Sequence, residues 1–195
     1  ATLNRGIAIA KGKYIARMDA DDWSYPDRLQ KQFEFMEKNP EVGVSGGVVD
    51  ICDEKMEVTG RRKYNLSDDC IRKKIFRYNP FAHPAIIIRK DILQKSGLYD
   101  DEYNLAEDYE LYFRIGRHSK FANMEDILLK YRIFPGSSTG KSTRKMELAT
   151  IKARNKHSSE YRIGFFDRLY KSAQYLSVFL IPSKLKVRLF NFFRS

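Results

Sequence analysis

The chain has 195 residues, 43% of them apolar, and a net charge of +11. That length suits one domain with an appended segment, and the apolar content allows a sizeable core. Cys52 and Cys70 are the only cysteines and lack metal-ligand spacing, and no apolar run reaches the ~18 residues of a membrane span. The cysteines therefore suggest no metal site, and a reduced cytoplasmic protein is the simplest reading.

In chain order, the pattern predicts a helix over 3–11, stopped by Gly12, and a strand over 14–18. An acidic turn follows, Asp19-Ala20-Asp21-Asp22. Leu29, Phe33 and Met36 recur at helical spacing over 26–39, before Asn39-Pro40. The Val- and Gly-rich run 42–51 reads as a strand and 55–63 as a second. A helix over 68–78 turns Ile71, Ile75 and Phe76 inward. A short buried strand spans 85–89, and a helix over 90–96 stops at Gly97. Leu111, Phe113 and Ile115 mark a helix over 107–117, and a last strand covers 128–134. Alternating strands and helices argue for an α/β domain with a mostly parallel sheet flanked by helices.

Beyond Pro135 the texture changes. Residues 136–140 read as a loop, 141–157 as a polar, basic helix, and 162–195 mix aromatic and aliphatic residues with basic ones. The expected division is a catalytic-type domain over 1–138 and a basic amphipathic helical extension over 139–195. From Lys141 to the end there are 13 Lys and Arg against Glu147, Glu160 and Asp167, a net of +10, while the preceding residues carry only +1. Such asymmetry points to a polyanion. Basic residues beside apolar ones suit a helix lying on an anionic membrane surface. The competing readings are a helix that packs its apolar face on its own domain and, least favoured, a nucleic-acid binder.

The acidic turn is the chemical signal. Crowded carboxylates repel one another and persist when water or a cation compensates them. Magnesium and manganese take oxygen ligands, often one or two carboxylates plus substrate phosphates. A D-x-D pair at a strand end therefore points to a metal on a diphosphate. Capping of the helix near Pro26 explains Asp residues here equally well. Glu107-Asp108 is a second acidic pair, at a helix start where the macrodipole favours negative charge.

The stretch from Asn4-Arg5-Gly6 through Gly12-Lys13-Tyr14-Ile15-Ala16-Arg17-Met18-Asp19-Ala20-Asp21-Asp22 to Pro26-Asp27-Arg28-Leu29 closely resembles family 2 glycosyltransferases of the GT-A fold. Leu105-Ala106-Glu107-Asp108-Tyr109 and Leu128-Leu129-Lys130-Tyr131-Arg132 match further motifs in the same order. The resemblance covers about two thirds of the chain. It implies an inverting, metal-dependent enzyme that moves a sugar from a nucleotide donor, a UDP-sugar foremost, to a hydroxyl of a glycan or lipid-linked acceptor. The implied setting is bacterial surface polysaccharide synthesis, peripheral at the inner face of the cell membrane. Relatives open with a V-x-I-P-x-Y-N-type strand that is missing here, so the expectation is an N-terminally truncated catalytic domain, in which the fragment alone can be inactive.

The resemblance assigns roles. Asp108 is the general base and Glu107 supports the acceptor or metal side. Asp21 is the foremost ligand for Mg2+ or Mn2+, Asp19 the next, shared with the donor; Asp22 caps or bonds locally. Arg132 is available to phosphate. His83, in an H-P segment, lies on the acceptor side in relatives; a histidine that merely fixes a loop is the favoured alternative. Gly46 and Gly47 allow close backbone approach to a sugar, or simply a strand irregularity. Relatives often carry a His two residues after the Y-R pair; here Phe134 stands there. Residues Pro135–Ser142 nearly fit a P-loop, but Pro135 replaces the first Gly and removes an N–H. The non-catalytic alternative is a membrane- or polyanion-binding module with a vestigial site.

Overall fold

A computed structural model of the chain describes residues 2–133, 143–161 and 164–180. The expected boundary at 138/139, Phe134, the near-P-loop and the basic segment 184–193 lie outside the described residues. Helix α1 (Thr2–Ile9) precedes strand β1 (Tyr14–Ala16), the short β2 (Trp23–Ser24) and α2 (Arg28–Lys38). Then come β3 (Val42–Cys52), β4 (Val58–Arg62), α3 (Asp68–Lys74), β5 (Ile87–Arg89) and α4 (Lys90–Ser96). Helix α5 (Glu107–Ile115), the long β6 (Lys120–Arg132), α6 (Thr143–His157) and α7 (Phe165–Leu180) complete the described part.

The strands form one sheet in the order β1-β5-β3-β6-β2, with β4 also paired to β3. The α/β class holds, with one correction: among the described strands only β3 and β6 pair in parallel, and the other four pairings are antiparallel. A parallel pair needs a long crossover, and only α3, β5, α4 and α5 between β3 and β6 supply one. Strand β3 is buried at all but one position, which is why its sequence is a run of Val and Gly without alternation. Strand β6 begins at Lys120, well before the expected start at Leu128. Pairing with β3 from Val42↔Lys120 to Cys52↔Arg132 holds its polar first half in the sheet.

Helix α2 forms where expected but is turned. Leu29 and Phe33, which signalled it, are 58% and 51% exposed; Arg28, Gln32 and Met36 face inward. The reason is backbone satisfaction at strand ends. Arg28 Nη2 donates to the Arg17 carbonyl at 2.7 Å, and Gln32 Nε2 donates to the Ala85 carbonyl at 2.9 Å. Met36 fills the space between them and Val42, Ile87 and Ala122.

The main core lies around α5. Tyr109, Leu111, Tyr112, Phe113 and Ile115 pack with Ile71, Ile75 and Phe76 around α3 and with Ile86, Ile88 and Leu93 from the β5–α4 region. A helix buried on nearly all sides is rigid, and α5 carries the Glu107-Asp108 pair at its first turn. Helix α6 closes over it. Ile151, Ala153, Arg154 and His157 are buried, and the His157 ring stacks on Phe113 at 5.0 Å. Among the described residues, no helix is long and apolar enough to cross a membrane.

Candidate active site

The end of β1 is clamped before the acidic turn begins. The Arg17 N–H donates to the Ile86 carbonyl at 3.1 Å, while buried Arg28 holds the Arg17 carbonyl. The Asp22 N–H then returns to the Asp19 carbonyl at 3.3 Å, closing the turn. The Arg17 guanidinium forms a fork with Asp19, at 2.7 and 2.5 Å. Both Asp19 oxygens are therefore engaged by a cation the protein itself provides.

Asp22 was expected to bond locally. Its Oδ1 instead accepts from the backbone N–H of Arg132 at 2.9 Å, tying the acidic turn to the end of β6. Its Oδ2 is buried without a partner. Burial raises the carboxyl to about 6; the Arg132 N–H opposes, and the charges of Asp19 and Asp21 add to the rise. Asp21 is exposed and, among the described residues, has no hydrogen bond or ion pair.

The second acidic pair is set by backbone geometry. Leu105 takes φ of 75°, a left-handed conformation costing about 1 kcal/mol or more in a non-Gly residue. The chain then enters α5 at Glu107. The Asn79 amide donates to Asp108 Oδ2 at 2.7 Å, and the Asn79 carbonyl oxygen accepts from the Phe81 N–H at 3.2 Å. Burial pushes Asp108 above the usual carboxylate range, and the Asn79 hydrogen bond holds it back. Burial likewise raises Glu107, whose Oε2 is buried without a partner.

His83 opens a 3-10 turn and shares a 2.9 Å hydrogen bond with the Tyr99 hydroxyl. Asn4 on α1 fixes Tyr99 through both of its backbone groups, at 2.8 and 3.0 Å. Burial, then the Arg17 charge, lower His83 to about 3, so it is neutral at physiological pH. Arg17 is the common element. Its charge acts on Asp22, His83, Tyr99, Glu107 and Asp108 alike. The acidic turn, the His83 segment and the start of α5 thus share one electrostatic neighbourhood.

Other expected residues sit differently. Arg132 Nε contacts Met56 Sδ at 3.0 Å. A Cβ on Gly46 would lie 2.6 Å from Asn123 Oδ1 and 3.0 Å from Phe81; one on Gly47 would lie 2.6 Å from Leu128. The close approach at both glycines is to protein atoms, at a register shift between β3 and β6. Sequence reasoning passed over Arg17, Asn79 and Tyr99. An arginine two residues before an acidic cluster is a usable signal for the first; nothing local marks the other two.

Among the described residues, no group of three or more His, Cys, Asp or Glu side chains is arranged to hold a metal. One exposed carboxylate on Asp21 and one unpartnered oxygen on Asp22 do not make an all-protein site. They fit a hard divalent cation that completes its shell with substrate phosphates and water.

The sequence pattern of Glycosyl transferase family 2 matches residues 1–97. The amylovoran biosynthesis glycosyltransferase AmsE of Erwinia amylovora is 37% identical over 67% of this chain and 48% of its own length. The O-antigen biosynthesis glycosyltransferase WbnJ of Escherichia coli is 35% identical over 75% of this chain and 56% of its own. The mannosyltransferase PcManGT of Pyrobaculum calidifontis, solved with GDP-Man and Mn2+, superposes with a TM-score of 0.54 at 13% identity, over 97% of this chain and 56% of that one. The architecture is the GT-A fold. The chain belongs to glycosyl transferase family 2, and it spans about half the length of the curated relatives it matches.

Proposed function

We propose that this chain carries the metal-side and acceptor-side carboxylates of an inverting glycosyltransferase. The donor is a nucleotide-sugar, a UDP-sugar foremost, and the acceptor a hydroxyl of a glycan or lipid-linked carrier. The observation that carries this reading is the buried Asp108 carboxylate at the start of α5, held by the Asn79 amide at 2.7 Å, together with the acidic turn in which Arg17 grips Asp19 and leaves Asp21 exposed. The names of AmsE and WbnJ support a setting in bacterial surface polysaccharide synthesis.

An acceptor hydroxyl is a poor nucleophile. Asp108 takes its proton as the new bond forms; burial makes the ionised carboxylate a better base than a surface one. Asn79 fixes the Asp108 carboxylate through Oδ2, and the backbone at the start of α5 holds it as well. Neutral His83 and Tyr99 offer uncharged hydrogen-bonding groups beside it. Asp21 is the foremost residue to hold Mg2+ or Mn2+, with Asp19 and Asp22 beside it, and the bound cation would stabilise negative charge on the departing diphosphate. Asp19 becomes available when Arg17 turns to another anion, and a diphosphate is such an anion.

The test uses a full-length version of the protein with a panel of UDP- and GDP-sugars and Mn2+. Asp108→Asn removes sugar transfer while donor binding by equilibrium dialysis persists. Turnover unchanged in that variant rejects the base assignment.

A further inference from the structure

Helix α7 is amphipathic in the reverse sense. Its polar side faces the protein: Asp167 accepts from Arg77 Nε at 2.7 Å, and Gln174 accepts from Arg154. Val178 is its one buried apolar residue. At ~100° per residue, Phe165, Leu169, Leu176 and Leu180 fall on the opposite arc, flanked by Phe166 and Phe179. All six are exposed, from 57% to 76%. A helix that packed its apolar face on its own domain would show the opposite pattern. A contiguous apolar surface of this kind marks a contact with something else.

Charge selects the occupant. Arg144 of α6 lies over the Phe179 ring at 5.2 Å, and exposed Arg168 stands on one flank of the apolar arc. Helices α6 and α7 together carry seven Lys and Arg against Glu147 and Asp167, so two copies meeting through this face would bring like charges together. A 16-residue helix is about 24 Å long and lies flat rather than spanning. We propose that α7 is the surface on which this protein rests on an anionic lipid bilayer, its aromatic and leucine side chains in the headgroup layer and its basic flank against lipid phosphates.

The same dock reaches the candidate base. Arg154 donates through Nη2 to the Arg77 carbonyl at 2.7 Å and through Nε to the Tyr109 hydroxyl at 2.8 Å. Asn79 and Asp108 lie within two residues of those contacts. The bilayer plane and the acceptor side of the site are therefore held in fixed relation, which rests on the functional reading above and favours a lipid-linked acceptor.

Vesicle co-sedimentation of the chain tests the surface. Binding is expected to phosphatidylcholine vesicles containing about one third phosphatidylglycerol, and to be weaker by about tenfold without it. The triple variant Phe166→Ser, Leu169→Ser, Leu176→Ser loses at least about tenfold in binding while its melting temperature holds, because all three side chains are exposed. Arg144→Glu with Arg168→Glu gives a comparable loss through charge alone. No binding by the native chain, equal binding to neutral vesicles, or unchanged binding by the triple variant each overturns the proposal. So does a dimer in light scattering that the triple variant dissolves. Mn2+-dependent donor binding is unchanged in these variants, so loss of lipid binding and failure of the active-site reading are separate results.

Discussion

The side-chain amide of Asn79 donates a 2.7 Å hydrogen bond to Oδ2 of Asp108, joining the segment after α3 to the first turn of α5. A donor to the ionised carboxylate favours that form. Asn79→Leu therefore moves Asp108 further above the ordinary carboxylate range. The acid limb of the pH profile of kcat/KM shifts to higher pH, with donor affinity unaffected. An unshifted limb assigns the limb to another group.

Asp22 is a carboxylate the fold disfavours in its charged form. Its pKa rises from 3.8 to about 6 on folding, so the folded state binds the extra proton between those values. Stability contributed by the protonated form is present below pH 3.8 and lost as pH rises to about 6. Asp22→Asn keeps an acceptor for the Arg132 N–H and removes the charge. It stabilises the chain by about 1 kcal/mol at pH 7.5, after discounting the shift for solvent screening, and by nothing at pH 4. Urea unfolding at the two pH values measures the difference.

Glu110 is the reverse case. Burial alone would raise it, but hydrogen bonds from His157, Arg114 and Lys156 hold it at about 2. Its side chain is 0% exposed. The stability it contributes is present above its ordinary 4.5 and lost as pH falls towards 2. Glu110→Ala leaves Arg114 without its counter-charge and the His157 Nε2 without its partner, and costs about 3–5 kcal/mol at neutral pH. Chemical denaturation reads the loss, and a value under 1 kcal/mol means that α6 is not held by this cluster.

Gly46→Ala places a methyl group 2.6 Å from Asn123 Oδ1 and 3.0 Å from Phe81. Overpacking of this kind costs about 1–3 kcal/mol. If Gly46 acts through packing, a thermal melt shows the loss and donor affinity stays level. A drop in donor affinity without a fall in melting temperature returns Gly46 to the ligand side.

Arg17 and Asp21 separate two modes of anion handling. Asp21→Ala lowers Mn2+-dependent donor binding by about tenfold or more. Arg17→Met releases Asp19, so affinity for Mn2+ alone rises while donor binding weakens about tenfold. Manganese titrations followed by water proton relaxation distinguish the two. Weaker Mn2+ binding in Arg17→Met contradicts the competition between guanidinium and metal for Asp19.

The acidic pairs were legible in the chain because each is a short contiguous run. The Asp19–Asp22 turn and the Glu107-Asp108 pair each mark a strand or helix end by residue type alone, and the α3 and α5 cores follow helical spacing. Facing was not legible. Leu29 and Phe33 announced α2, yet Arg28 and Gln32 took the inner side, because unsatisfied carbonyls at Arg17 and Ala85 needed donors. Strand β2 is two residues long and exists only through its pairing with β6.

Residue type and local spacing therefore determined which groups carry charge and, to within a few residues, where the helices begin. Tertiary structure alone decided that the Arg132 N–H meets Asp22, that Asn79 holds Asp108, and that α7 turns its apolar side outward. Those are contacts between residues far apart in the chain. They depend on which buried polar group most needs a partner once the sheet has formed, and local sequence does not encode that demand.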